Sequence, residues 1–243
     1  MSSRASAQPG ELPLREQVGR ALINKGIALG TLGRSDTEIA AYDDVVERFG
    51  AAGELPLREP VARAIFNKGA TLGALGRSDA AIDVYDDVVS RFGAASELPL
   101  RELVAKALVN KGITLGALGR SDAAIDVYDD VVERFGAAGE LPLREQVGMA
   151  LVSKAVALGR SDAAIDVYDD VVERFGAAGE LPLREQVGMA FVNKGVALSA
   201  LGRSEEAIAA FDDVFARFGA ATEAPLYELV AHAKSARDSL RKV

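Results

Sequence analysis

One stretch returns from one end of this chain to the other. Its clearest copy runs from Glu54 to Ser96 and reads ELPLREPVARAIFNKGATLGALGRSDAAIDVYDDVVSRFGAAS. Copies open on Glu-x-Pro-Leu at Glu11, Glu54, Glu97, Glu140, Glu180 and Glu223, in steps of 43, 43, 43, 40 and 43 residues. A fixed period of roughly 20–50 residues marks an array of small units, each burying its apolar face only against its neighbours. This overrides the one or two globular domains that 243 residues would otherwise allow.

Each full copy reads as two helices. In the second copy, Pro56 sits near a first helical turn, where its missing N–H costs nothing. Val61, Ala64, Ile65, Gly69, Leu72 and Leu75 then recur with a period near 3.6, which predicts helix A over about 56–75. Gly76 can take the left-handed conformation that ends it. Ser78 is the expected N-cap of helix B, with Asp79 facing the positive end of the dipole. Ile82, Tyr85, Val88, Val89 and Phe92 form one face of helix B, and Gly93 is expected to stop it. No segment alternates with period two, so the chain is expected to be all-α.

The segment from Ala64 to Gly93 resembles the tetratricopeptide repeat. Gly69, Ala81 and Tyr85 match that family's glycine midway along helix A, small residue early in helix B and aromatic four residues on. Gly112, Ala124 and Tyr128 match in the same way, and Leu72 and Leu115 match the position three after the glycine. The resemblance covers residues 11–243. It implies a right-handed superhelical solenoid of antiparallel helix pairs, with repeats at 11–53, 54–96, 97–139, 140–179 and 180–222 and a capping helix at 223–243. Residues 1–10 are expected to be a disordered lead-in. The period departs from the family's usual 34, and Gly50, Gly93, Gly136, Gly176 and Gly219 replace its closing proline.

The copies are unequal. Residues 117–150 and 157–190 are identical, through recent duplication or idealisation. The fourth copy lacks three residues, reading SKAVALGRSD where the third reads NKGITLGALGRSD. Three residues turn a helix by about 300°, so helix A there is expected to shorten by nearly a turn, with the loop absorbing the mismatch and the curvature changing near Lys154 to Ser161. The last copy puts Lys234 and Asp238 where others have an aliphatic residue and the glycine, as a solvating cap does. No comparable cap precedes the first copy, whose helix A is expected to leave an apolar face open.

The net charge of -8 disfavours nucleic acid, which needs a basic stripe, and the absence of cysteine excludes disulfide and thiolate chemistry. No stretch approaches the ~20 apolar residues of a membrane span, and a cytoplasmic location is expected. GALGRS at Gly73–Ser78 lacks the ending of a phosphate-binding loop and reads as a helix connector. The GxxxG spacings Gly26–Gly30, Gly69–Gly73 and Gly112–Gly116 read as close helix approach in water. The paired acids Asp43-Asp44, Asp86-Asp87, Asp129-Asp130, Asp169-Asp170 and Asp212-Asp213 recur with the scaffold. They are read as solvated faces and inter-repeat partners of Arg34, Arg77, Arg120, Arg160 and Arg203. His232, the single histidine, has no second ligand or nucleophile and is read as a surface residue. Tyr42, Tyr85, Tyr128, Tyr168 and Phe211 read as wedges between helices. No catalytic residue, metal or cofactor is implied.

The resemblance also implies a concave groove lined by helix A. Six before the helix A glycine stand Arg20, Arg63, Lys106, Met149 and Met189. Three before it stand Ile23, Phe66, Val109, Val152 and Val192. Two before it stand Asn24, Asn67, Asn110, Ser153 and Asn193, and one after it Ile27, Ala70, Ile113, Val156 and Val196. Such a groove would hold a peptide or helix of another protein with an aliphatic stripe, an amide ladder and a basic end. In the bland alternative the stripe only packs successive A helices. The competing function is a structural array that self-associates through the uncapped first repeat, a homo-oligomer, or an idealised repeat with no dedicated ligand.

Overall fold

The structure, a computed structural model, describes residues 11–241. The expected lead-in at 1–10 lies outside the described residues. Among these are eleven α-helices and no strand. They are α1 (Glu11–Thr31), α2 (Ser35–Phe49), α3 (Leu55–Ala74), α4 (Ser78–Phe92), α5 (Leu98–Ala117), α6 (Ser121–Phe135), α7 (Leu141–Leu158), α8 (Asp162–Phe175), α9 (Leu181–Ala200), α10 (Ser204–Phe218) and α11 (Ala224–Leu240). The chain forms two compact units, Met1–Thr114 and Leu115–Val243. In the first, α1, α2, α3 and α4 pack consecutively and α1 also meets α3. In the second, α6 to α11 pack consecutively, and α9 also meets α7 and α11. Odd-numbered helices are A helices and even-numbered ones B helices.

The A helix starts where the sequence indicates. Glu54 is an extended N-cap and Pro56 stands in the first turn of α3. The turn into helix B is built on Gly76, at φ +72, with the Arg77 N–H donating to the Leu72 carbonyl at 2.9 Å. This tight closure moves the cap. Arg77, not Ser78, is the N-cap of α4, with no side-chain bond, and Ser78 is already helical. Helix B ends at Phe92, as expected, but Gly93 remains right-handed. The requirement at this position is close approach. In the fourth copy, a Cβ on Gly176 would run into the Val172 carbonyl oxygen, with Arg217 Nη1, which donates to the Gly176 carbonyl at 3.1 Å, a further 3.2 Å neighbour.

The three-residue deletion is absorbed by the helices rather than the loop. Helix α7 has 18 residues against 20 in α9, and α8 has 14 against 15 in α10. The connector still has three residues, Gly159, Arg160 and Ser161. Gly159 keeps its positive φ of 74 but turns to ψ -144, and Ser161 becomes a true N-cap, its Oγ accepting from the Ala164 N–H at 3.2 Å. The sequence expectation of Ser at the cap therefore holds in this copy and fails in the second.

The tyrosines are wedges, as read. Tyr42, Tyr85, Tyr128, Tyr168 and Phe211 are at most 3% exposed. Three of these rings sit against a glycine on the paired A helix. A Cβ on Gly26, Gly69 or Gly195 would approach Tyr42, Tyr85 or Phe211 to 2.5, 2.6 or 2.6 Å. In the first copy, Gly30 has a separate role, because a Cβ there would lie 2.7 Å from the Glu38 carboxylate.

Candidate functional site: the helix A face

The predicted groove residues separate by burial. Ile23, Val109, Val152 and Val192 are at most 7% exposed, and Phe66 is half-buried with its ring tilted against Tyr85 at 6.1 Å. That stripe packs the fold. The exposed apolar line is instead the position after the glycine. Ile27, Ile113, Val156 and Val196 are 39% to 60% exposed, and Ala70 is exposed too.

The amide ladder is largely engaged. Burial raises the pKa of the Tyr85 hydroxyl, and the Asn110 side chain, donating to it, partly offsets the rise. Burial likewise pushes Tyr168 up to about 12, opposed by Asn193. Tyr128 is raised by burial and opposed by Ser153. Tyr42 is raised by burial and by Glu38, and opposed by Asn67. Each amide or hydroxyl thus serves the B helix of the preceding copy. Asn24 alone of the five is exposed.

The basic end is self-compensated. Arg20 bonds Glu16 at 2.7 Å and Arg63 bonds Glu59 at 2.9 Å, while Lys106 bonds Glu102. Met149 and Met189, both half-buried, hold the same position in the second unit. The expected net positive end is therefore replaced by ion pairs within each helix.

Two concavities open on this face of the first unit. One, of about 280 Å³, lies between α1 and α3 and is lined by Arg20, Ile23, Asn24, Glu59, Pro60 and Arg63. The other, of about 540 Å³, carries Ile27, Asn67, Ala70 and Leu75 on its walls and the Glu38 carboxylate. Glu38 Oε1 accepts from the Tyr42 hydroxyl at 3.1 Å and the Thr71 hydroxyl at 2.9 Å. Glu38 stands where other copies have Ala81, Ala124, Ala164 and Ala207, so its singularity was legible but went unread.

Sequence reasoning also assigned the paired acids to the wrong bases. The first acid of each pair bonds the lysine just before the next A helix glycine, or before Ala155 in the fourth copy: Asp43 to Lys68 and Asp86 to Lys111 at 2.6 Å, Asp129 to Lys154 and Asp169 to Lys194 at 2.5 Å. In the last copy Asp212 takes Arg237 at 2.6 Å. The second acid bonds an arginine one turn on, as in Asp44–Arg48 and Asp87–Arg91. Arg203 pairs with Asp162 and Glu206 instead. The recurring lysine before the glycine was the available signal. His232 is exposed, as read. Among the described residues no group of acids or histidine is arranged to hold a metal ion, and no helix is long and apolar enough to cross a membrane.

Consecutive helix pairs, joined by an acid–base pair at each junction, define an α-helical repeat protein. A sequence model of the tetratricopeptide repeat matches residues 66–140 and 149–218, more than half of the chain, which therefore belongs to that family. Its members serve in general as protein-interaction scaffolds. Among solved structures, the chain is similar to a putative kinesin light chain from Podosopora anserina with nearly identical TPR-like repeats. Identity is 12%, the TM-score is 0.57, and 94% of this chain and 98% of that one are covered. It is also similar to an engineered protein, at 11% identity and a TM-score of 0.51, covering 98% and 94% of the two chains. At these identities the likeness is one of fold. No curated protein matches the sequence.

Proposed function

We propose that this chain is a non-catalytic cytoplasmic scaffold that takes a peptide or helix of another protein against its helix A faces. The observation that carries this reading is the cleft between α1 and α3. Its two arginines are 63% and 51% exposed at their side chains, yet each is held in place by a glutamate one turn away. A guanidinium has five donors, and one bond to a carboxylate leaves several free for a peptide carbonyl or acid. Ile27 and the second cleft lie further along the same helix and offer apolar contact. Because Glu16 and Glu59 balance the arginines, recognition rests on hydrogen-bond geometry and apolar fit rather than on net charge.

The test is selection of a random-peptide phage library on the full chain, followed by binding of the recovered peptides to the Arg20→Ala, Arg63→Ala double variant. Both side chains are exposed, so the fold should survive. Loss of at least tenfold in affinity supports the cleft; undiminished binding removes it. Phe66 and Asn110 are poor choices for this test, because both support Tyr85. The identity of residues 117–150 and 157–190 favours a second reading, an idealised repeat with no dedicated ligand. That reading predicts that the selection recovers no specific peptide.

A further inference from the structure

The first A helix carries one complete half of an interface. In α3, α5, α7 and α9 the A helix is tied to the B helix of the copy before it by the same contacts. A tyrosine hydroxyl meets an amide or hydroxyl: Tyr42 with Asn67 and Tyr85 with Asn110 in the first unit, Tyr128 with Ser153 and Tyr168 with Asn193 in the second. The aspartate after the tyrosine bonds the lysine after that amide or hydroxyl, at 2.5 to 2.6 Å in all four places. Near the start of the A helix a leucine is wholly buried, at Leu57, Leu100, Leu143 and Leu183.

Helix α1 has the same set in the same register, as Leu14, Asn24 and Lys25. Leu14 is 63% exposed, Asn24 and Lys25 are exposed, and no described residue pairs with Lys25. The other end of the array shows that these residues travel with their partners. The last B helix has Phe211 in place of tyrosine, and α11 has Ala236 in place of the amide; the two line one concavity. Where the hydroxyl is gone, so is the group that would meet it. In α1 the amide and the lysine are both kept.

We infer that the open face of α1 is a docking site for an acidic amphipathic helix of a partner protein, with the pattern Ala-x-x-x-Tyr-Asp-x-Val-x-x-x-Phe of the B helices. The complementarity is specific: a hydroxyl for Asn24, a carboxylate for Lys25, an apolar seat for Leu14. A second copy of the chain cannot supply it, because α2, α4, α6, α8 and α10 are each already tied to the following A helix. Residues 1–10 cannot supply it either, since MSSRASAQPG contains no acid and no aromatic residue. The face shares Asn24 with the cleft of the proposed function, but Leu14 and Lys25 lie outside that lining, so Leu14→Asn tests this inference and the Arg20, Arg63 double variant tests the other.

The probe is a labelled peptide of residues 78–96. A helix of this length is marginal alone, so it is cross-linked between positions 79 and 83, both exposed in α4, and its helicity is checked by circular dichroism. Anisotropy with the full chain should show saturable binding. Lys25→Ala in the protein, or Asp86→Asn in the peptide, should weaken it about two- to fivefold. Leu14→Asn should weaken it about thirtyfold, with the thermal midpoint unchanged because Leu14 is exposed. Lys68→Ala should leave binding as it was, since that junction is occupied within the chain. No saturable binding by a helical peptide would overturn the inference, as would equal binding to Leu14→Asn. Leu14-dependent self-association that the peptide fails to disrupt would overturn it in favour of a second copy.

Discussion

Two substitutions in one helix, chemically identical, should move stability in opposite directions. At Gly69 an alanine Cβ would lie 2.6 Å from Tyr85 Cε1 and 2.9 Å from Cδ1. Tyr85 is 3% exposed, with Phe66 on one side and Asn110 at its hydroxyl, so the ring has little room to retreat. Overpacking of this kind costs about 1–3 kcal/mol, and contacts under 3 Å belong at the upper end. Alanine returns about 1 kcal/mol of helix propensity, leaving Gly69→Ala destabilised by about 2 kcal/mol. At Gly73, one turn on, the nearest atom to a new Cβ is that of Ala81 at 4.0 Å. There only the propensity gain remains, and Gly73→Ala should be stabilised by about 0.5–1 kcal/mol. Urea denaturation followed by circular dichroism would measure both, with amide exchange in α3 reporting on the first unit by itself. If Gly69→Ala stabilises as much as Gly73→Ala, the ring does not need the glycine and the account of the wedge is wrong.

Three further outcomes follow from the same geometry. Leu57→Ala should cost about 2–5 kcal/mol, whereas Leu14→Ala at the equivalent position of the first copy should cost under about 0.5 kcal/mol; paired denaturation curves decide. Tyr168 is pushed up to about 12 from 10.0, chiefly by burial. The folded state thus holds its proton more tightly, and this contribution to stability is full below pH 10 and lost as pH rises toward 12; spectrophotometric titration should show that Tyr168, with the other buried tyrosines Tyr42, Tyr85 and Tyr128, ionises above 10, and Tyr168→Phe should remove one phenol from that late phase. Lys68 and Asp43 are 27% and 51% exposed at their side chains, so a double-mutant cycle should give a coupling of about 0.2–1 kcal/mol that shrinks in high salt.

The fold was legible because it rests on period. A repeat read from Glu-x-Pro-Leu, glycine and tyrosine places two helices per copy without knowing any contact, and Gly76 at positive φ is where the sequence put the break. The site was legible only in part. Ile23 and Val109 were assigned to the groove by position, but whether such a residue faces solvent depends on how closely neighbouring helices approach, and both are buried. Arg20 and Arg63 are exposed, yet their charge is answered by glutamates four residues earlier, a helical spacing that could have been counted. The cap at Arg77 could not have been read, because the left-handed Gly76 sets the entry angle and Ser78 is a good N-cap residue by every local rule.

The natural unit of construction is the junction, not the copy as written from its opening glutamate. The tie that recurs at every junction runs from a B helix to the next A helix, and the bonded acid and base are 25 residues apart each time, from Asp43–Lys68 to Asp212–Arg237. The three-residue deletion falls outside that span, in the A-to-B connection of one copy. It shortens the reach from Arg144 to Glu180 to 36 residues, against 39 for Arg58 to Glu97 and Arg184 to Glu223, and still the arginine finds its acid at 3.1 Å. The stretch that recurs without change, 117–150 and again 157–190, likewise holds a whole B helix and the first half of the A helix after it. Losses within a helix pair can be taken up by shortening its two helices, here by two residues in α7 and one in α8. A loss within a junction would rotate the lysine, the amide and the leucine off their partners together, since three residues turn a helix by about 300°.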